Sequence, residues 1–223
     1  MTDKTAFIEF LLAQNVLKFG EFTLKSGRLS PYFFNLGEVS HGAAYATLGQ
    51  AYADALIAAE FDCDVLFGPA YKGIPIAVAT GIALAERGVD VGVAYNRKEA
   101  KAHGEGGQLV GAALTGRVVL IDDVLTSGKA IREALALLED TDVEIAGAII
   151  AMDRQEVAAA GEMEQGRTAV ASLAEELSAP VISIATMQDL IDYLDRPAGA
   201  SGADTQDGIL PRMRHYQAEY CVL

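Results

Sequence analysis

The arrangement of apolar runs constrains the fold of this chain more than any other feature of its sequence. Short and almost continuous apolar segments stand at residues 64–68, 91–95, 117–123, 145–152 and 181–185. Apolar runs without alternation are typical of strands that are buried on both faces, as in parallel sheets. Helical periodicity lies between most of them, at residues 74–87, 129–139 and 168–178. This order predicts an α/β fold with a mostly parallel five-stranded core sheet flanked by helices.

Both ends of the chain add elements to this pattern. Helical spacing of apolar residues spans residues 2–17 and 43–60, and strand-like runs stand at residues 19–24 and 32–36. Thr186 and Asp189 have the spacing of a capping box, which predicts the start of a last core helix. Beyond it, the sequence predicts a flexible linker and then a short helix around residues 213–220.

The charge of the chain excludes one broad class of function. The sequence has 31 acidic and 17 basic residues and a net charge of −14, whereas binding to a nucleic-acid backbone needs a basic face. No apolar run approaches the roughly 18 residues of a membrane span, and the N-terminus lacks the layout of a secretory signal. Cys63 and Cys221 form no metal or disulfide motif. We expect a cytoplasmic protein with no nucleic-acid and no membrane partner.

An apolar strand that ends in two acids carries the clearest sign of chemistry. Asp122 and Asp123 close this strand, and a turn with Thr126, Ser127 and Gly128 leads into a helix. Backbone N–H groups at a helix N-terminus, together with hydroxyls, bind phosphate. Two carboxylates beside a phosphate are suited to holding sugar hydroxyls, or to a Mg²⁺ ion that the phosphates carry. The alternative is an ordinary strand–turn–helix connection with two solvated acids.

A second unusual segment joins two of the predicted strands at residues 96–111. It is polar and rich in glycine, and loops of this length inside compact domains are commonly functional lids or disordered. Four basic side chains, Arg97, Lys98, Lys101 and His103, lie within seven residues of this acidic chain. This local reversal of charge favours an anionic ligand, and the alternative is a solvated charged loop.

Several segments together resemble a known family. Residues 118–131 resemble the signature by which type I phosphoribosyltransferases bind phosphoribosyl pyrophosphate (PRPP). This stretch alone does not separate orotate enzymes from purine enzymes or from PRPP-binding regulators. Four further segments are similar to the orotate phosphoribosyltransferase family in the expected order, at residues 24–37, 68–75, 95–107 and 152–156. The resemblance extends over about residues 5–195.

The resemblance implies a fold, a reaction and partners. The fold is that of a type I phosphoribosyltransferase, in one compact domain. Its expected parts are an N-terminal hood over residues 1–40, a core over residues 41–195 with a mobile lid loop over residues 96–111, and a linker and C-terminal helix over residues 196–223. The reaction converts orotate and PRPP to orotidine 5′-monophosphate and pyrophosphate, in pyrimidine (UMP) biosynthesis. Mg²⁺ is the implied cofactor, held mainly by PRPP near Asp122 and Asp123, and the implied homodimer shares the lid loop across subunits.

The resemblance also assigns the site residues. The expected catalytic residues are Lys72, Lys101, His103, Asp122 and Asp123. The expected PRPP-binding residues are Lys25, Tyr71, Lys72, Arg97, Lys98, Lys101, His103, Asp122, Asp123, Val124, Leu125, Thr126, Ser127, Gly128, Lys129 and Ala130. The expected orotate-binding residues are Phe33, Phe34, Thr126 and Arg154. Pairing with the orotate carboxylate suits the guanidinium of Arg154, because its donors match both oxygens.

Some alternatives stay open on the sequence. Lys129 either adds charge to the phosphate site or points into solvent, and Phe33 and Phe34 are either ligand contacts or core aromatics. A purine phosphoribosyltransferase would share residues 118–131 but is expected to lack the phenylalanine pair and the basic lid loop. A PRPP-binding regulator would need a DNA-binding module and a basic face, against which the net charge of −14 argues.

Overall fold

A computed structural model describes most of the chain. The described residues are 3–24, 27–101, 107–125, 128–139, 141–157, 166–196 and 208–222, with the backbone only at residues 100 and 101. Within them the strands are β1 (Leu17–Thr23), β2 (Leu29–Phe34), β3 (Val65–Gly68), β4 (Gly92–Lys101), β5 (Gly107–Gly111), β6 (Thr115–Val124), β7 (Asp142–Asp153) and β8 (Val181–Thr186). The helices are α1 (Lys4–Ala13), α2 (Gly42–Ala58), α3 (Gly73–Ala85), α4 (Lys129–Leu138), α5 (Ala169–Leu177), α6 (Met187–Leu194) and α7 (Ile209–Tyr220), with a 3-10 turn at Leu36–Glu38.

The central sheet has the strand order β5-β4-β3-β6-β7-β8. The strands β3, β4, β6, β7 and β8 pair in parallel, and they correspond to the five apolar runs of the sequence. The predicted parallel core is therefore confirmed. A sixth strand, β5, lies antiparallel to β4 at one edge. β6 is central, so the acids at its carboxyl end lie in the middle of one edge of the sheet.

The structure differs from the loop expected over residues 96–111. β4 continues through Lys101, and β5 begins at Gly107, so both flanks of this segment form an antiparallel hairpin. Residues 102–106 lie outside the described residues. An edge hairpin satisfies its backbone hydrogen bonds by pairing and can carry polar side chains. The apolar pattern from which strands are predicted is therefore weak in this segment.

Two apolar layers cover the two faces of the sheet and explain the continuous apolar runs. Along β6, Val119 and Ile121 pack into one layer with α1, α2, α3, α6 and α7. Val118 and Leu120 point to the other face and pack with α4 and α5. Because successive strand residues alternate between faces, both sets must be apolar.

The elements at the two ends of the chain meet beside the core. β1 and β2 form a separate two-stranded antiparallel sheet, and α7 packs against β2, where the rings of Tyr32 and Tyr216 meet edge to face at 6.4 Å. Thr186 and Asp189 make the predicted capping box at the start of α6. Across the described residues, none of the helices combines the length and the apolar character needed to cross a membrane.

Candidate active site

The carboxyl ends of the parallel strands open onto a cleft of about 1540 Å³, which is where open α/β sheets bind ligands. Every predicted site residue whose side chain the structure describes lines this cleft. They are Phe33, Phe34, Tyr71, Lys72, Arg97, Lys98, Asp122, Asp123, Val124, Leu125, Gly128, Lys129, Ala130 and Arg154. Lys25, His103, Thr126, Ser127 and the side chain of Lys101 lie outside the described residues.

The two acids at the end of β6 are buried and fixed. Asp122 and Asp123 are 7% and 6% exposed, and the Asp123 N–H donates to Asp122 Oδ1 at 2.9 Å. The hydroxyl of Tyr52, fully buried on α2, donates to the Asp122 carbonyl at 2.7 Å. Sequence reasoning placed Tyr52 only on the apolar stripe of a helix. Its contact with the acid pair joins residues 70 positions apart, which no local pattern reveals.

Lys72 approaches the acid pair from the turn after β3. Its Nζ lies 2.7 Å from Asp123 Oδ2. The turn comes this close because Gly73, at the start of α3, lies against β6: a Cβ at Gly73 would be 2.6 Å from the carbonyl oxygen of Ile121. Glycine is therefore required at this position for a steric reason, since any side chain there would push the turn away from the strand.

The electrostatics of the acid pair favour a proton on one carboxyl. Burial, and then the neighbouring Asp123, raise the pKa of Asp122 from 3.8 to about 7, while Lys72 acts in the opposite direction. Both effects penalise the charged form of Asp122 in the ligand-free protein. A hydrogen-bond donor or a cation that enters the cleft would favour the charged form of Asp122 instead.

This shift predicts a pH dependence of stability for the ligand-free protein. Above about pH 4 the unfolded chain has released the proton of Asp122, whereas the native state keeps it to about pH 7. The native state then binds more protons, so the free energy of unfolding falls as pH rises through this window. Urea unfolding between pH 5 and pH 8 measures it, and Asp122→Asn should flatten the fall. Parallel profiles for the wild type and the variant would contradict the shift.

The hairpin of β4 and β5 fastens the turn that carries Lys72. Asn96, 7% exposed in β4, accepts a hydrogen bond from the Ala70 N–H through Oδ1 at 2.9 Å. The ammonium of Lys98 lies 4.9 Å from the centre of the Tyr71 ring, in cation–π geometry. Sequence reasoning missed Asn96, because it stood in a segment interpreted as a loop.

The start of α4 lines another side of the cleft. Gly128 caps the helix with φ of +65°, a left-handed conformation that favours glycine. Gly128, Lys129 and Ala130 line the cleft, so the first turn of α4, whose N–H groups have no partner within the helix, lies beside it. The side chain of Lys129 is 79% exposed, with Nζ 3.6 Å from Glu133. Lys129 thus lines the cleft and also reaches solvent, and its part in binding phosphate stays a prediction.

Phe33 and Phe34 are neighbours on β2, and they face opposite ways because side chains alternate along a strand. Phe34 is buried in the core layer, whereas Phe33 is 38% exposed and packs at 5.5 Å against Phe22. Arg154, just after β7, faces the cleft with its side chain 11% exposed. Its guanidinium lies over the Tyr32 ring and pairs with Glu156.

Comparison with known proteins identifies the relatives of this chain. Residues 40–165 match the model of the phosphoribosyl transferase domain family. The chain is 50% identical to an orotate phosphoribosyltransferase of Proteus mirabilis over 96% of this chain and 95% of that one. It is 49% identical to that of Photobacterium profundum over 97% of both chains. A crystal structure of orotate phosphoribosyltransferase from Francisella tularensis matches with a TM-score of 0.83 and 38% identity, over 97% of this chain and 100% of that one.

Proposed function

Because this chain belongs to the orotate phosphoribosyltransferase family, we propose that its cleft transfers the 5-phosphoribosyl group of PRPP to orotate. The products are orotidine 5′-monophosphate and pyrophosphate, in pyrimidine biosynthesis. The observation that carries this proposal is the joint placement of three features in one cleft: the acid pair Asp122–Asp123, the N-terminus of α4, and Arg154. They suit a sugar, a phosphate and a carboxylate, respectively.

The phosphoribosyl group is assigned to the end of β6 and the start of α4. The N–H groups around Gly128, with the hydroxyls of Thr126 and Ser127 that the resemblance assigns, bind the 5′-phosphate. Asp122 and Asp123 accept hydrogen bonds from the ribose hydroxyls. Their negative charge also stabilises the positive charge that develops at the anomeric carbon as pyrophosphate leaves. No covalent intermediate with the protein is needed, since positioning and electrostatics supply the catalysis.

The leaving pyrophosphate is assigned to the cations beside the β3–α3 turn. Lys72 is already held at the site by Asp123, and Lys98 lies over Tyr71 in the same turn. Arg97 lines the same cleft. Lys101 and His103 complete this set by resemblance. Cations that contact the pyrophosphate as it gains negative charge and leaves lower the energy of the transition state more than that of the ground state.

Magnesium is compatible with this arrangement as an ion that binds together with PRPP. Across the part of the chain that the structure describes, no three His, Cys, Asp or Glu side chains gather into a metal site. The paired carboxylates of Asp122 and Asp123 are oxygen ligands of the kind that Mg²⁺ accepts, usually with substrate phosphates and water. We therefore assign the ion mainly to PRPP, near the two acids, where it would neutralise phosphate charge.

Orotate is assigned to the space between the hood and the loop after β7. Phe33 offers an exposed ring, and Phe34, which is buried in the core layer, lines the same cleft. Arg154 carries the donors that match a carboxylate, and Thr126 is assigned to orotate by resemblance. This assignment distinguishes orotate from purines and from uracil, none of which carries a carboxylate.

A spectrophotometric assay tests the function. The purified protein is incubated with PRPP and Mg²⁺ and with orotate, uracil, adenine or hypoxanthine in parallel. We expect orotate to be consumed only when both PRPP and Mg²⁺ are present, while the other bases stay inert. Turnover of a purine with orotate untouched would support the purine alternative. PRPP binding without turnover of any base would support the regulator.

We also assign a homodimer that shares the lid loop across subunits. Apolar side chains on α2 and α3 support an interface there, since Ile57, Val78 and Ile82 are 47%, 42% and 58% exposed. Light scattering is expected to give twice the 23.5 kDa mass of the chain. A monomer that is fully active at the same concentration would contradict the shared site.

A further inference from the structure

The C-terminal helix reaches the residue to which the orotate carboxylate is assigned. Arg154 donates from Nε and Nη2 to the same oxygen of Glu156, Oε1, at 2.9 and 2.6 Å. The hydroxyl of Tyr216, on α7, donates to that oxygen as well, at 2.7 Å. The Tyr32 ring lies on one face of the guanidinium, 4.9 Å from Cζ. Arg154 is therefore held from its side by a carboxylate and from its face by an aromatic ring.

The chain around Arg154 is fastened to the same C-terminal segment through its backbone. The Val157 N–H donates to the carbonyl of Tyr220 at 2.8 Å, and the Val222 N–H donates to the carbonyl of Gln155 at 2.9 Å. The thiol of Cys221 lies 3.5 Å from the carbonyl of Arg154. Both the backbone and the side chain of this arginine thus depend on residues some 60 positions further along the chain.

The contacts with Glu156 define which edge of the guanidinium can bind a substrate carboxylate. Glu156 occupies the edge made by Nε and Nη2, and the terminal edge made by Nη1 and Nη2 is the one that can meet both oxygens of a second carboxylate. A free arginine side chain must lose rotamer freedom when it binds. Because Glu156 and Tyr32 already order Arg154, substrate binding does not bear that cost.

We propose that Glu156 and Tyr216 are positioning residues for Arg154, so that helix α7 sets the affinity of the enzyme for orotate. The inference rests on the proposed function, in which Arg154 binds the substrate carboxylate. We assign no contact with the substrate to Glu156. Its oxygen orients the arginine, and the Tyr216 hydroxyl orients that oxygen.

Steady-state kinetics with both substrates varied tests the inference. Tyr216→Phe keeps the ring and removes one hydrogen bond, so we expect the KM for orotate to rise about fivefold, while kcat and the KM for PRPP stay within about twofold. Glu156→Ala should raise the KM for orotate by about 30-fold, and Glu156→Gln, which keeps an acceptor oxygen, should restore most of the affinity. Tyr193→Phe, on α6 and not among the described residues that line the cleft, is the matched control.

The outcomes distinguish a failure of this inference from a failure of the proposed function. An active wild type whose KM for orotate is unchanged in Tyr216→Phe and Glu156→Ala would overturn the positioning role. A fall in kcat together with equal rises in both KM values would also overturn it, because such changes indicate general damage to the fold. If Glu156→Ala does not fold, Tyr216→Phe decides, since it leaves the packing in place. A wild type that does not consume orotate would overturn the proposed function itself.

Discussion

Arg154→Ala is expected to raise the KM for orotate by about 100-fold and to leave the KM for PRPP within about threefold. A charge-assisted pair with a carboxylate contributes ~2–3 kcal/mol, which corresponds to a factor of this size. The variant also leaves the carboxylate of Glu156, which is only 18% exposed, without its cationic partner, so that it would repel an anionic substrate. Steady-state kinetics at saturating PRPP and Mg²⁺ measure the change.

The surface pair of Arg87 and Asp54 supplies the matched control. Arg87 also contacts a carboxylate, at 2.6 Å, but both side chains are about a third or more exposed. Such pairs contribute little in water, so Arg87→Ala should keep both KM values. Should Arg154→Ala instead raise the KM for PRPP, or raise neither, the orotate carboxylate is bound elsewhere.

Asp123→Asn is expected to lower kcat by about 100-fold. The substitution preserves shape but removes the negative charge that we assign to the anomeric carbon, and it weakens the ion pair with Lys72. Loss of one preorganised electrostatic contact costs a factor of this order in other enzymes. The KM for orotate should change little, because we assign the carboxylate end of that substrate to Arg154.

The control for this acid is Asp54→Asn, from the exposed pair with Arg87, and it should keep full kcat. Thermal unfolding of Asp123→Asn separates lost chemistry from lost folding, since a folded variant keeps a cooperative transition. If the folded variant retained kcat within about threefold, the acid pair would not act on the developing charge.

Much of the core was predictable because its signal is local. Each parallel strand is buried on both faces and therefore appears as a continuous apolar run, and the capping box at Thr186 and Asp189 lies within four residues. The sites at strand ends follow from the topology alone, since parallel strands bring their carboxyl ends to one edge. The acids at the carboxyl end of β6 are found in this way without any knowledge of their tertiary contacts.

The hairpin of β4 and β5 was missed for a physical reason. β5 pairs on one side only, and its residues have no need of a continuous apolar run. Its glycines and polar residues resemble those of a loop, so composition favours the wrong assignment. The strand is shown by its pairing with β4, for example of Asn96 with Leu109 and of Ala94 with Gly111.

The residues that support the site were beyond sequence reasoning, because each acts across a long separation. Tyr52 meets the acid pair through its hydroxyl, although its spacing marks only a helix face. Asn96 holds the turn of Lys72 from the next strand. Tyr216 lies in the C-terminal helix, for which the sequence predicts no function, and its proposed role depends on α7 packing against β2. Tertiary contacts of this kind leave no local pattern.

The most direct test of the account is a crystal structure of the protein with orotidine 5′-monophosphate bound. We expect the 5′-phosphate at the N-terminus of α4 near Gly128, the ribose hydroxyls against Asp122 and Asp123, and the pyrimidine carboxylate within hydrogen-bonding distance of the Nη1–Nη2 edge of Arg154. A nucleotide with its carboxylate turned away from Arg154, or its ribose away from the two acids, would contradict the assignment of the site.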